Sequence, residues 1–545
     1  MSLARDVTTV GSATLLSRLL GFFRDMGIAS VLGAGVLSDA FFAVLQLVNV
    51  FRRMLAEGAL NAAFVPLWLR IKAADGEDGA DRFFRTVLEA MILACGALAL
   101  IGLLFAPAVI GALAPGFGGE RGALAADYLH IAAPYVVLAG AVAVLAAVLN
   151  AQGRVGAAAL GIVAFNAVLL LALAWIAAFG PALPATTGAL LAHAIVLAGI
   201  VQLAVTGAGF LRLRRRMASS GERLSRTRSG TGTGSPQKAR PLKERLRLRF
   251  GFSADARRFF ARAVPGLVAA GVPQLKLIAG AMVASASPAA VSWLYYANRL
   301  YELPLGIVSI ASAAVLVPAI ALSVRDGAPE AIAAAQSRGY EIGLGLALPS
   351  AVGFALLAQP IAGGLFERGA FGPHDTAAVA AALAAICAGL PGHVLEKVLG
   401  AVSFAHEDTR TPMLAALAGL ATAVAGALVL FPHYGHVGVA AAIAISGWVG
   451  AALLGAILAR RGWLRCDRAA ARRLPRIVAA TLIMGMVIFA AHDLSASLPG
   501  ASGSLARLAL LVLLVALGLA VYLASLELLG VARLRDLVAA VRARL

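Results

Sequence analysis

Residues 17–58 read SRLLGFFRDMGIASVLGAGVLSDAFFAVLQLVNVFRRMLAEG, and their reading decides the fold. Most of the stretch is apolar enough to lie in a bilayer, yet it carries Arg18, Arg24, Asp25, Asp39, Arg52, Arg53 and Glu57. A charge at the centre of a membrane helix costs about 3 kcal/mol on insertion scales, so such groups face a water-filled cavity or each other. On a helix, Asn49, Arg53 and Glu57 recur at four-residue steps, and Arg18 and Asp25 stand seven apart. Both spacings put the groups on one face. Asp25, Asp39 and Glu57 are candidates for ion pairing and gating, the plain alternative being pairs that only fix helix packing. The arginines outnumber what these carboxylates neutralise, and a surplus of buried guanidinium calls for an anion.

The whole chain fits the same solvent. Of 545 residues, 61% are hydrophobic and 13% charged, about half the charge of a soluble domain, and mean hydropathy is +0.89. This is an all-α polytopic membrane protein. The first 30 residues lack the layout of a cleaved signal peptide, so the first helix is expected to be retained. Cys95, Cys387 and Cys466 are scattered and give neither a disulfide framework nor metal spacing.

A spanning helix needs about 20 apolar residues. Apolar runs between turn signals fall at 7–33, 38–70, 83–113, 123–151, 156–179 and 186–211. They resume at 256–284, 289–322, 338–366, 374–404, 411–431, 437–460, 474–491 and 505–529. Fourteen transmembrane helices are expected. The net charge of +19 is spread unevenly. One set of loops holds Arg70, Lys72, Arg82, Arg85, Arg154, Arg325, Arg338, Arg410 and the run from Arg460 to Arg476, together with the tail. The short loops of the other set hold Arg121 and Arg368, with Arg507 at the edge of the last helix. Lys and Arg collect on the cytoplasmic side, which puts both termini in the cytoplasm and makes nucleic acid an unneeded partner. Residues 212–249 hold thirteen Lys or Arg around SGTGTGSP. They read as a flexible linker with basic flanks suited to anionic headgroups.

The linker divides the chain into 1–211 (helices 1–6), a basic segment at 212–255, 256–460 (helices 7–12), and 461–545 (helices 13–14 and tail). The two six-helix parts echo each other. Pro66 in FVPLW and Pro318 in LVPAI are 252 residues apart, FAPAVIGAL and AQPIAGGLF 253, and Arg154 in NAQGR and Arg410 in HEDTR 256. Six helices precede the second copy, so both copies enter the membrane from the same side. That is a parallel repeat of two lobes, an arrangement transporters use to build a central site.

The second copy carries SWLYYANRLYELPLG (292–306), with Asn298, Arg299 and Glu302. Arg299 and Glu302 share a face, and a private pair between them is the plain reading. Under the 252 offset they fall near Asn49 and Arg52, so both copies point guanidinium groups the same way. A guanidinium fork binds phosphate oxygens with two bonds and stays charged at any working pH, which suggests a phosphorylated substrate. His393, Glu396 and Lys397 form another polar face, where Glu396 and His393 are candidates for a coupling proton or cation. No phosphate-cradling GxxxxGK[ST], HExxH or Mg²⁺-holding aspartate pair is present, so no enzyme is expected.

SRLLGFFRD (17–25), SDAFF (38–42), NVFRRMLAEGALNAAFVP (49–66), LAPGF (113–117) and SWLYYANRLYELPLG occur in this order along nearly the whole chain. They resemble the MurJ (MviN) lipid II flippases of the multidrug/oligosaccharidyl-lipid/polysaccharide exporter superfamily. The resemblance implies a V-shaped pair of lobes plus helices 13 and 14, which form a groove for a lipid tail. It implies movement of undecaprenyl-pyrophosphate-linked disaccharide-pentapeptide across the bacterial inner membrane for peptidoglycan synthesis, in company with other cell-wall synthesis proteins. Cavity charges on which the family depends fall on Arg18, Arg24, Asp39, Arg52 and Arg299, with Ser292 and Glu302 nearby; Asn49 and Arg53 join them as binding candidates. The family's Asp before the helix-8 Arg is Asn298 here, which leaves Arg299 less neutralised. No cofactor or metal is implied. Some members have a sodium site built from carboxylates on the C-terminal lobe, and coupling to Na⁺, H⁺ or membrane potential stays open. The alternatives are export of another polyprenyl-pyrophosphate-linked oligosaccharide and a non-transporting cell-wall scaffold.

Overall fold

A computed structural model describes residues 2–56, 59–180, 184–228, 271–272, 274–311, 316–496 and 504–531. Every element among them is a helix, as expected where each backbone N–H and C=O must find its partner within the segment. The chain runs through α1 (Ser2–Leu32), α2 (Val36–Ala56), α3 (Ala59–Leu104), α4 (Ala106–Leu113), α5 (Gly119–Ala132), α6 (Tyr135–Ala151), α7 (Val155–Phe179) and α8 (Pro184–Arg228). It continues through α9 (Gln274–Ala284), α10 (Ala290–Ala311), α11 (Val317–Arg325), α12 (Pro329–Leu356), α13 (Ala358–Phe366), α14 (Pro373–Cys387), α15 (Leu390–Ala405), α16 (Arg410–Arg460), α17 (Arg468–Ala496) and α18 (Ser504–Leu528).

Among the described residues, eight helices are long and apolar enough to cross a membrane, or nine if the pair α5–α6, bent by 44°, is one span. The longest helices conceal breaks. α3 and α16 each contain one glycine in the left-handed region, Gly76 (φ 70°) and Gly435 (φ 55°), a conformation that costs glycine nothing. The second break separates the runs read as 411–431 and 437–460. The run read as 38–70 is helical as far as the described residues reach, in α2 to Ala56 and in the start of α3 from Ala59. The basic stretch read as a linker is helical over its first part, with α8 extending to Arg228. Its Gly/Ser/Thr core lies outside the described residues.

Helix starts repeat along the chain. Ala106 and Ala358 are 252 residues apart, Tyr135 and Leu390 255, and Val155 and Arg410 255. The same short helices and breaks therefore recur at the offset seen in the sequence.

The chain forms two compact units. The first comprises 1–31, 43–112 and 119–274. In it α7 packs on α8 and α3 on α6, around Phe64, Trp68, Phe83, Phe84, Met91 and Phe210. The second comprises 32–42, 113–118 and 275–545. There α15 packs on α16, α12 on α17 and α17 on α18, with Leu316, Ile320, Val398, Val402 and Leu454 at one centre. The second unit thus takes in the α1–α2 turn and the start of α2.

Asp408 in the α15–α16 turn shows how such a turn is fixed. It accepts hydrogen bonds from the backbone N–H groups of Arg410 (3.0 Å) and Thr411 (3.1 Å), from the Thr411 hydroxyl and from Arg461. Burial works to raise its pKa, but the Thr411, Arg461 and Arg410 bonds outweigh it and hold the carboxyl at about 2. A carboxylate depressed on folding stabilises above its unfolded value of 3.8, and that contribution disappears as the pH falls towards 2. Asp408→Ala is expected to cost about 1 kcal/mol of stability at neutral pH. It should also flatten the acid limb of a thermal-unfolding profile; an unchanged limb would assign that limb to other carboxylates.

Candidate functional site

In the first unit, the polar groups of α1 meet one residue of α7. Arg24 is 5% exposed and Asp25 fully buried. The Arg24 guanidinium donates to Asp25 Oδ1 from Nε (2.9 Å) and Nη2 (2.7 Å), and to Asn166 Oδ1 from Nη1 (3.1 Å). The Asn166 amide donates in turn to the Ser17 carbonyl at 3.2 Å. α1 is therefore tied to α7 through Ser17 and Arg24, about two turns apart along α1. Arg18 is exposed. The seven-residue spacing of Arg18 and Asp25 does not give them a common environment, because Asp25 turns inward to Arg24 while Arg18 stays out.

Asn49, Arg52 and Arg53 lie partly buried near the end of α2, and Arg52 Nη2 is 3.5 Å from Asn49 Oδ1. That contact is at the limit of a hydrogen bond, so the fork is held weakly on this side. Glu57, expected on the face of Asn49 and Arg53, lies outside the described residues.

In the second unit, Asp39 and Ser292, 253 residues apart, form one buried knot. Asp39 accepts from the Ala289 N–H (2.8 Å), the Ser292 N–H (2.9 Å) and the Ser292 hydroxyl (2.6 Å), and Ser292 Oγ is 3.0 Å from Ser38 Oγ. The two N–H groups belong to the start of α10, where a helix has free donors and a partial positive charge. A carboxylate from the first turn of α2 thus caps another helix. The α1–α2 turn is fastened beside it, with Tyr296 Oη donating to the Gly33 carbonyl at 3.1 Å. Gly33 is in the left-handed region (φ +64°), and a Cβ there would come within 2.4 Å of the Ala370 carbonyl oxygen. Asp39, Ser38 and Ser292 are all completely buried, so Asp39 is a structural anchor as well as a gating candidate.

One turn and more along α10, Arg299 Nη1 lies 3.6 Å from Glu302 Oε2, both about one-fifth exposed. The Asn298 amide donates to Glu302 Oε1 at 3.4 Å. Arg299 therefore has a carboxylate neighbour despite the Asn at 298, the pair that the spacing allowed. At this exposure an i,i+3 pair is worth about 0.2–0.5 kcal/mol.

The polar face of α15 has a partner that the sequence reading passed over. Lys276 of α9 is 8% exposed, and its Nζ is 3.9 Å from Glu396 Oε2. His393 Nδ1 lies 2.8 Å from Tyr301 Oη and 3.1 Å from the Gly389 carbonyl. Asn166 was passed over in the same way. Each is a lone polar residue inside an apolar run, and that is the signal that marks it.

Asn166→Leu removes the acceptor that Arg24 reaches on α7. It is expected to cost about 1–3 kcal/mol, read as a lower unfolding temperature of the purified protein. Asn166→Gln, which keeps the amide, should lose less.

Among the described residues the arrangement offers guanidinium groups and anchored carboxylates inside long apolar helices. That is the class of polytopic helical transporters. The profile of the Lipid II flippase MurJ family matches residues 28–510, and the chain belongs to that family. It is 36% identical over 528 residues to the "Probable lipid II flippase MurJ" of Rhizobium meliloti, covering 96% of this chain and 93% of the relative. It is 29% identical over 487 residues to the "Lipid II flippase MurJ" of Burkholderia cenocepacia, covering 89% of each. The fold is shared with a solved "Lipid II flippase MurJ, inward closed conformation", at TM-score 0.76 and 22% identity over 97% of this chain and 99% of that one. It is shared more distantly with an inward-facing MATE multidrug transporter of the MOP superfamily, at TM-score 0.62 and 14% identity over 82% and 94%.

Proposed function

We propose that this chain carries lipid II from the cytoplasmic to the outer leaflet of the bacterial inner membrane, exposing a binding site alternately to the two sides. Family membership across residues 28–510 is the observation that supports the cargo. In this reading the chain crosses the membrane fourteen times with both termini cytoplasmic, and it transports without catalysing a reaction. Arg52 supplies a fork to the pyrophosphate, since its contact with Asn49 is long enough to exchange for a phosphate oxygen. Arg18 and Arg53 add charge beside it. Arg24 serves mainly to hold α1 on α7, because Asp25 and Asn166 already occupy its donors. Arg299 gives up Glu302 in favour of the substrate, as a weak, partly exposed pair allows.

Asp39 keeps the start of α10 in place, and the outer gate is proposed to open by releasing this knot. Membrane potential is proposed to reset the empty carrier; one elementary charge is worth about 2.3 kcal/mol per 100 mV.

The test is binding of purified full-length protein to lipid II, with undecaprenyl alcohol as the uncharged control. The reading expects saturable lipid II binding that weakens steeply with salt and no comparable binding of the alcohol. Equal binding of both would remove the role of the guanidinium groups. Saturable binding of a different polyprenyl-pyrophosphate-linked sugar in preference to lipid II would favour another exporter of the superfamily.

A further inference from the structure

The second unit contains an ion pair that the lipid-binding reading does not use. Lys276 on α9 and Glu396 on α15 face each other at 3.9 Å with side chains 9% and 18% exposed. Glycines of α16 make the room. A Cβ on Gly419 would lie 2.7 Å from Lys276 Nζ and 3.3 Å from the Ser446 carbonyl oxygen, and a Cβ on Gly450 would lie 2.9 Å from the Glu396 carboxyl carbon. The ammonium and the carboxylate are thus each seated against a helix that carries no side chain at that point. His393, one turn earlier on α15, is seated the same way against Gly447, and Lys397 follows Glu396 on the exposed side.

A carboxylate held among apolar membrane helices attracts a small cation or a cationic side chain. Here that position is already taken by a cation belonging to the chain. We propose that Lys276 is a tethered cation: its ammonium occupies the place beside Glu396, in the room left by the α16 glycines, that a small dissolved cation would otherwise take, so that this chain needs no dissolved Na⁺ to assemble or reset its second unit. A free cation approaching Glu396 meets the Lys276 and Lys397 ammonium groups instead of an open carboxylate. The place itself persists, and removing the tether should expose it.

The experiment measures thermal unfolding of the purified full-length protein in matched concentrations of NaCl, methylammonium chloride and choline chloride, independently of any lipid cargo. Wild type is expected to unfold at the same temperature in all three. Lys276→Ala, which orphans a buried carboxylate and opens a cavity, is expected to unfold about 10 °C lower in choline, with part of the loss restored by Na⁺ or methylammonium. Choline is too bulky to enter. Lys276→Met fills the cavity and should not respond to cations, and neither should Lys276→Ala/Glu396→Gln. If Lys276→Ala fails to accumulate, the double variant is expected to accumulate, because the orphaned carboxylate is the lesion. A wild-type protein stabilised by Na⁺ over choline would overturn the proposal. So would a Lys276→Ala protein indifferent to small cations, or a double variant no better than the single one. Failure of lipid II binding leaves all these outcomes unaffected.

Discussion

Arg52→Ala is expected to abolish support of growth when it replaces the wild-type copy, while the protein still inserts and accumulates. Arg52 lies near the end of α2, partly buried, and its contact with Asn49 is at the limit of a hydrogen bond. That contact adds little to the fold, so the loss should fall mainly on the cargo. A charge-assisted hydrogen bond contributes about 1.5–3 kcal/mol, which corresponds to about 10- to 150-fold in lipid II affinity. Arg52→Lys keeps the charge but loses the bidentate fork, and it should recover only part of that affinity. Full growth with Arg52→Ala at normal expression would remove Arg52 from the binding account.

Asp39→Ala should fail differently, through loss of the folded protein. The carboxylate accepts three hydrogen bonds from Ala289 and Ser292 within 2.6–2.9 Å, in a fully buried setting. Removing it strands two N–H groups at the start of α10, at about 1–3 kcal/mol for each unsatisfied group, while the Ser292 hydroxyl keeps Ser38. Membrane-inserted protein should drop severely, and what remains should unfold at lower temperature. Asp39→Asn keeps one acceptor oxygen and should be intermediate in amount. Ser292→Ala, which leaves both N–H bonds in place, should be the mildest of the three. If Asp39→Ala accumulates and unfolds like wild type, the anchor reading fails and the residue acts in gating alone.

The contrast between these two residues shows what sequence can and cannot carry. Helices were legible because a bilayer enforces a single rule on every segment, about 20 apolar residues with internal hydrogen bonds. Even the break at Gly435 stood out as a gap between two apolar runs. Spacing along one helix has limits. It placed Arg18 with Asp25, but the side chain of Asp25 is held by Arg24, and Arg18 is left outside. Most of what the site adds is contact between distant segments: Asp39 with Ser292, Arg24 with Asn166, Lys276 with Glu396. Separations of 120 to 253 residues leave no periodicity to read. Only the presence of a lone polar residue in an apolar run could have marked Asn166 and Lys276, and it names no partner.

The central claim is that this chain moves lipid II between leaflets by way of its arginines. The direct measurement is to deplete the protein in the bacterium that carries it and determine which leaflet holds lipid II. The account predicts accumulation in the cytoplasmic leaflet, reversed by wild type and not by Arg52→Ala expressed at the same level. An unchanged leaflet distribution on depletion, or reversal by Arg52→Ala as complete as by wild type, would contradict it.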